Sequence, residues 1–83
     1  MKTVEFKVAQ HVSYDAKMAG KIVTALSDVS SNVFIIAGNA RVNAKSIIGV
    51  ISLSLKPDDK FAVCAQGGDA DLAINLVKEL IAE

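Results

Sequence analysis

A chain of 83 residues with 52% hydrophobic and 22% charged side chains has the composition of one small folded domain, so we expect a single domain over residues 1–83. Nine basic and nine acidic side chains cancel, and no Lys/Arg block is present, which excludes the basic footprint of a direct nucleic-acid binder. The longest apolar runs are far shorter than the ~18 residues of a membrane span, so no membrane partner is expected either.

The first 26 residues predict a strand followed by a helix. Thr3–Val8 alternates, with Val4, Phe6 and Val8 on one face, which is typical of a half-buried strand without the apolar segment of a signal peptide. Ala16–Leu26 has an apolar stripe at helical spacing, and Ser13 or Asp15 is placed to cap this helix. The residues of the stripe are Ala19, Ile22, Val23 and Leu26.

The middle of the chain predicts a hairpin and a short helix. Asn32–Ala37 and Ala40–Asn43 are strands joined by the turn signal Gly38-Asn39. Ser46–Leu53 then has Ile47, Val50 and Ile51 at helical spacing. A serine directly before such a segment is suited to accept a hydrogen bond from a free amide of the first turn, so Ser46 is expected to be the N-cap.

The last third predicts a strand and a helix after the turn at Pro57-Asp58-Asp59. Phe61–Ala65 alternates as a strand, and Asp69 can cap a final helix whose buried residues are expected to be Leu72, Ala73, Leu76, Val77 and Leu80. The order is βαββαβα. It predicts an α+β fold of two layers, in which a four-stranded antiparallel sheet is covered by helices on one face.

The sequence offers little for catalysis. His11, Ser13 and Asp15 form a tempting set for a triad, but one short loop rarely positions nucleophile, base and orienter together, so we expect an exposed histidine and no enzyme. No metal-ligand spacing or nucleotide-binding motif is present, and neither a metal nor a cofactor is expected. The single cysteine, Cys64, cannot form an internal disulfide, is expected to be half-buried in a strand, and suits a cytoplasmic protein.

The segment VNAKSIIGVISL resembles the HPr family, the histidine-containing phosphocarrier proteins of the bacterial sugar phosphotransferase system, and the resemblance runs the whole length of the chain. The usual block in that family is close to V-N-x-K-S-[IVL]-[ML]-G-[VL]-M-[ST]-L. The matching residues are Val42, Asn43, Lys45, Ser46, Ile47, Gly49, Val50, Ser52 and Leu53. The resemblance implies an HPr-like open-faced β-sandwich, which agrees with the element order.

The second signature of the family, G-[IL]-H-A-R-P-A, falls on residues 13–19 and is largely lost. Asp15 stands where the phosphoryl-accepting histidine is expected, Lys17 replaces the arginine and Met18 replaces the proline. Phosphohistidine chemistry needs an imidazole at the helix N-terminus, and the planar fork of arginine binds phosphate oxygens in a way that lysine does not. His11 is four residues too early to take the role, so Enzyme I is not expected as a partner.

Some family members, the Crh type, lack the histidine and keep a regulatory serine at the place of Ser46. The resemblance therefore implies phosphorylation of Ser46 by HPr kinase/phosphorylase and binding of the product to catabolite control protein A, a LacI-type regulator of carbon catabolism. The residues assigned to partner binding are Asp15, Lys17, Lys45, Ile47, Ile48 and Ile51. Two alternatives are a phosphocarrier that uses Asp15 as an acyl-phosphate acceptor, and a diverged binding protein that is never phosphorylated.

For each partner-binding residue, a structural role is also possible at this point. The isoleucines could be part of the core, Asp15 could cap the first helix, and Lys17 could be a solvated charge.

Overall fold

A computed structural model describes residues 1–83 and contains four strands and three helices in the predicted order βαββαβα. Each predicted element is present, and wherever both ends of an element were predicted they lie within one residue of the observed ends. The strands are β1 (Lys2–Lys7), β2 (Asn32–Ala37), β3 (Ala40–Asn43) and β4 (Lys60–Gln66), and the helices are α1 (Ala16–Ala25), α2 (Ile47–Ser52) and α3 (Ala70–Ile81).

The strands form one antiparallel sheet in the order β1-β4-β2-β3. The predicted hairpin is confirmed, because Ala37 pairs with Ala40 across a two-residue turn in which Gly38 has a φ of 59°, a conformation that glycine adopts without strain. The last strand in sequence, β4, lies between β1 and β2, with Val63 opposite both Val4 and Ile35. The chain therefore closes its sheet through contacts that are distant in sequence.

One face of the sheet and all three helices bury a single apolar cluster of 19 residues. The predicted inward residues of β4 (Phe61, Val63 and Ala65) are all buried there. Val8, directly after β1, is fully buried, whereas Val4 and Phe6 are half-buried in β1, which is an edge strand. The observed architecture is the predicted α+β fold, a four-stranded antiparallel sheet with helices on one face.

The opposite face of the sheet is open. The guanidinium of Arg41 lies 4.2 Å from the ring centre of Phe34 on this face, at a distance typical of a cation–π contact. Cys64 pairs with Thr3 on one side and with Phe34 on the other, and only 4% of it is exposed, so it is more deeply buried than the half-buried position that we predicted. It is a free cysteine outside the main apolar cluster.

The predicted buried face of α3 is partly wrong. Ala73 and Val77 are buried as predicted, and Leu76 and Leu80 pack half-buried against the cluster, but 54% of Leu72 is exposed. The helix turns a slightly different stripe toward the sheet. Its buried residues are Ala73, Ile74, Val77 and Ile81.

The predicted capping role of Asp69 is also wrong. Asp69 occupies the N-cap position of α3, but its carboxylate makes no hydrogen bond to that helix. It accepts instead from the backbone amides of Ser30 and Ser31, each at 2.9 Å, and from both serine hydroxyls. These hydrogen bonds, led by that from the Ser31 hydroxyl, lower the pKa of Asp69 from its ordinary value of 3.8 to about 2. The carboxylate thus joins the α1–β2 connection to the β4–α3 connection.

Candidate functional site

The helix α2 begins at an exposed serine. Ser46 has extended backbone angles (φ −109°, ψ 117°), and its Oγ accepts a hydrogen bond from the amide of Gly49 at 3.3 Å, which confirms the predicted N-cap. The Ser46 carbonyl also accepts from the Val50 amide at 2.9 Å, as the first bond of the helix. Because the hydroxyl acts only as an acceptor within the protein, its proton and its outer surface stay accessible.

Three isoleucines of α2, the helix that this serine caps, are exposed. The exposed fractions are 46% for Ile47, 82% for Ile48 and 38% for Ile51, whereas Val50 is fully buried. These three residues, here called the isoleucine patch, are three of the five large hydrophobic residues that the whole chain exposes. Core burial is therefore excluded for all three, and an apolar surface is available next to the Ser46 hydroxyl.

A glycine allows α2 to lie close to the sheet. A Cβ on Gly49 would lie 3.3 Å from the Cβ of Val42 in β3 and 3.5 Å from the carbonyl oxygen of Asn43. The first of these distances is tighter than ordinary van der Waals contact, so a residue with a side chain would require Val42 or α2 to shift by a few tenths of an ångström. The absence of a side chain at residue 49 therefore allows the helix of the isoleucine patch to pack closely on β3.

Lys45 differs from the other residues that we assigned to partner binding. It is half-buried, and its ammonium donates a hydrogen bond to the carbonyl of Val29 at 2.5 Å. Its own amide donates to Oδ1 of Asn43 at 2.9 Å. In this geometry the Lys45 charge attaches the start of α2 to the α1–β2 connection instead of projecting into solvent.

Asp15 caps α1. Its backbone is extended (φ −133°, ψ −173°), and its Oδ1 accepts a hydrogen bond from the Met18 amide at 2.9 Å. The exposed side chain of Lys17 lies in the first helical turn, the end where a positive charge is least favoured by the helix dipole. The Asp15 carboxylate therefore already accepts a hydrogen bond from one of the free backbone amides that would otherwise be available to bind a phosphate at this helix terminus.

His11, Ser13 and Asp15 do not form a triad. All three are exposed, no hydrogen bond joins them, and the Asp15 carboxylate is bonded to the α1 backbone instead. His11 and Asp15 line one shallow open depression together with Lys17 and Glu79. No group of three or more His, Cys, Asp or Glu side chains is arranged to hold a metal ion, and no helix has the length and apolar character needed to cross a membrane.

Tyr14 is the residue of this region that the sequence did not lead us to expect. Its hydroxyl donates a hydrogen bond of 2.6 Å to the carbonyl of Val50, and burial raises its pKa from 10.0 to about 12. The bond joins the residue before Asp15 to the C-terminal part of α2, so the entry to α1 and the helix of the isoleucine patch are held together. The one signal in the sequence is a lone tyrosine where the family signature has isoleucine or leucine.

Comparison with known proteins agrees with this geometry. The sequence matches the family described as the PTS HPr component phosphorylation site over residues 2–83. It is 33% identical over 72 residues to the phosphocarrier protein HPr of Mycoplasma capricolum, covering 87% of this chain and 81% of that protein. HPr-C-His from Thermoanaerobacter tengcongensis has a TM-score of 0.86 at 32% identity, covering 98% and 91% of the two chains. Crh of Bacillus subtilis has a TM-score of 0.72 at 29% identity, covering 93% and 85%. The resemblance inferred from the motifs is confirmed, and the chain belongs to the HPr family.

Proposed function

We propose that this HPr-family protein is a cytoplasmic regulatory phosphoprotein of carbon catabolite control, with Ser46 as the acceptor for HPr kinase/phosphorylase. The phosphorylated form would bind catabolite control protein A and act as its coeffector. The observation that carries the proposal is the exposed Ser46 hydroxyl beside the isoleucine patch. A kinase needs the first, and a protein partner that recognises the phosphoserine gains apolar contact area from the second.

The local structure around Ser46 is suited to a phosphate. A phosphoserine has a charge of about −1.5 to −2 near neutral pH, and at an N-cap it faces the positive end of the helix and its free amides. The Gly49 amide already points at the Ser46 Oγ. We therefore expect phosphorylation to add a charged recognition element to the patch without unfolding α2.

Mass measurement after incubation with HPr kinase/phosphorylase and ATP tests the acceptor. The expected result is one added phosphate on Ser46, which Ser46→Ala abolishes. Ser52→Ala is the matched control, because Ser52 lies in the same helix but its hydroxyl is engaged with the Gly49 carbonyl at 2.6 Å. Recovery of the unmodified protein under conditions that fully modify an ordinary HPr would contradict the proposal and favour a binding protein that is never phosphorylated.

Affinity measurement tests the patch. Ile47→Asp in the phosphorylated protein should weaken binding to catabolite control protein A while the far-ultraviolet circular dichroism stays that of a folded protein. Leu72→Asp is the control, since Leu72 is also a large exposed apolar residue but belongs to α3. Equal affinities for the two variants would remove the isoleucine patch from the proposed interface.

The phosphocarrier function of the named HPr relatives is the alternative. In this chain it requires an acyl phosphate on Asp15, and two features argue against it. One carboxylate oxygen of Asp15 already accepts a hydrogen bond from the Met18 amide. In addition, the ammonium of Lys17 binds phosphate oxygens less specifically than the planar guanidinium of an arginine would. Incubation with Enzyme I and phosphoenolpyruvate decides between the two functions, because only a carrier would gain a phosphate that is lost in Asp15→Asn.

A further inference from the structure

The short helix α2 is held from outside at both ends. It has six residues, too few to be stable by its own hydrogen bonds. At its start, the Lys45 ammonium binds the Val29 carbonyl at 2.5 Å. At its end, the Tyr14 hydroxyl binds the Val50 carbonyl at 2.6 Å. Both anchors are made by side chains that donate to backbone carbonyls.

The end of α2 depends on its anchor more than the start does. The closing hydrogen bonds are of the short-range type, from the Leu53 amide to Val50 at 3.3 Å and from the Ser54 amide to Ile51 at 3.1 Å. Ser54 then has a φ of 49°, a left-handed conformation that is unfavourable for a residue with a side chain. The Tyr14 hydroxyl gives this end a hydrogen bond of 2.6 Å from outside the helix, across 36 residues of sequence.

We propose that Tyr14 is a positioning residue for the partner-binding surface, because its hydroxyl sets the orientation of α2 and the isoleucine patch relative to the entry of α1. An isoleucine or leucine at this position has no hydrogen-bond donor for the Val50 carbonyl. The tyrosine donates at any physiological pH, since its pKa is raised to about 12. The expected effect of Tyr14 on partner binding rests on the proposed function, whereas its effect on the orientation of α2 can be measured independently.

Tyr14→Phe removes only the hydroxyl, and amide hydrogen exchange reports its effect on α2. In Tyr14→Phe the Val50–Ser54 amides should exchange roughly threefold to tenfold faster than in the parent, which is the change expected when one neutral hydrogen bond is lost. The exchange of the sheet amides should change equally in Tyr14→Phe and in a control variant. The control is Ile81→Val, a buried methylene removed from α3. Exchange in α2 that is no faster in Tyr14→Phe than in Ile81→Val would overturn the proposal.

The functional arm measures affinity of the Ser46-phosphorylated proteins for catabolite control protein A, at a temperature at which all are folded. Tyr14→Phe should bind roughly threefold to tenfold more weakly than the parent, and Ile81→Val should bind equally, because general loss of stability does not change the affinity of a folded protein. Unchanged affinity of Tyr14→Phe would overturn the positioning role. If the parent is neither phosphorylated nor bound, the proposed function fails, and the exchange result alone decides whether Tyr14 orients α2.

Discussion

Replacement of Gly67 by alanine should be one of the most damaging small changes in this protein. Gly67 joins β4 to α3 with a φ of 149°, a backbone conformation that is essentially restricted to glycine. A Cβ there would lie 2.8 Å from the Cα and 3.0 Å from the Cβ of Ser31, and closer still to its Oγ. Ser31 is buried and bonded to Asp69, so it has little room to move.

The expected loss of stability follows from these two effects. The backbone conformation costs about 1–3 kcal/mol for a residue with a side chain, and inserting a methyl group into a packed site costs about 1–3 kcal/mol more. We therefore expect Gly67→Ala to lower the free energy of unfolding by about 2–6 kcal/mol, a large part of the stability of a small domain.

Urea denaturation of Gly67→Ala and Gly68→Ala measures the difference. Gly68 is the matched control, since it follows directly in the chain, lacks a left-handed φ, and has no atom within 4 Å of the place where an alanine Cβ would lie. Its alanine variant should lie within about 0.5 kcal/mol of the parent. Equal stability of the two variants would show that the connection relaxes freely, and that the contact with Ser31 does not restrain it.

Three further changes test other parts of the structure. Asp69→Asn should be less stable than the parent above pH 3.8, and the difference between their urea midpoints should disappear as the pH falls through about 2. The reason is that the hydrogen bonds that lower the pKa of Asp69 stabilise the folded protein only while the carboxylate is ionised. A difference in midpoint that does not change with pH would contradict this. Ser54→Gly should raise the free energy of unfolding by about 0.5–1 kcal/mol by relieving the left-handed backbone, and a lower urea midpoint would contradict it. Asp15→His alone should accept phosphate from phosphorylated Enzyme I far more slowly than the triple variant with Lys17→Arg and Met18→Pro, since ~1 Å of misalignment can cost ~100-fold in rate; equal initial rates would show that only the histidine was missing.

Much of the candidate site was predictable because its signals are local. A serine before an apolar segment predicts an N-cap, and Ser46 is one. The same holds for Asp15 at the start of α1. The exposure of the isoleucine patch was left open by spacing alone, because a six-residue helix has too few turns to distinguish a buried face from an exposed one.

The order of the elements and the hairpin turn were determined by the sequence itself, through periodicity and turn residues that act within a few positions. The tertiary structure decided the rest. It placed β4 between β1 and β2, bonded Asp69 to serines 38 and 39 residues away, and brought Tyr14 to a carbonyl 36 residues away. It also turned Leu72 to solvent. Such contacts depend on how the helices and strands pack together. The residues next to a side chain in the sequence do not indicate which distant residue this packing brings into contact with it.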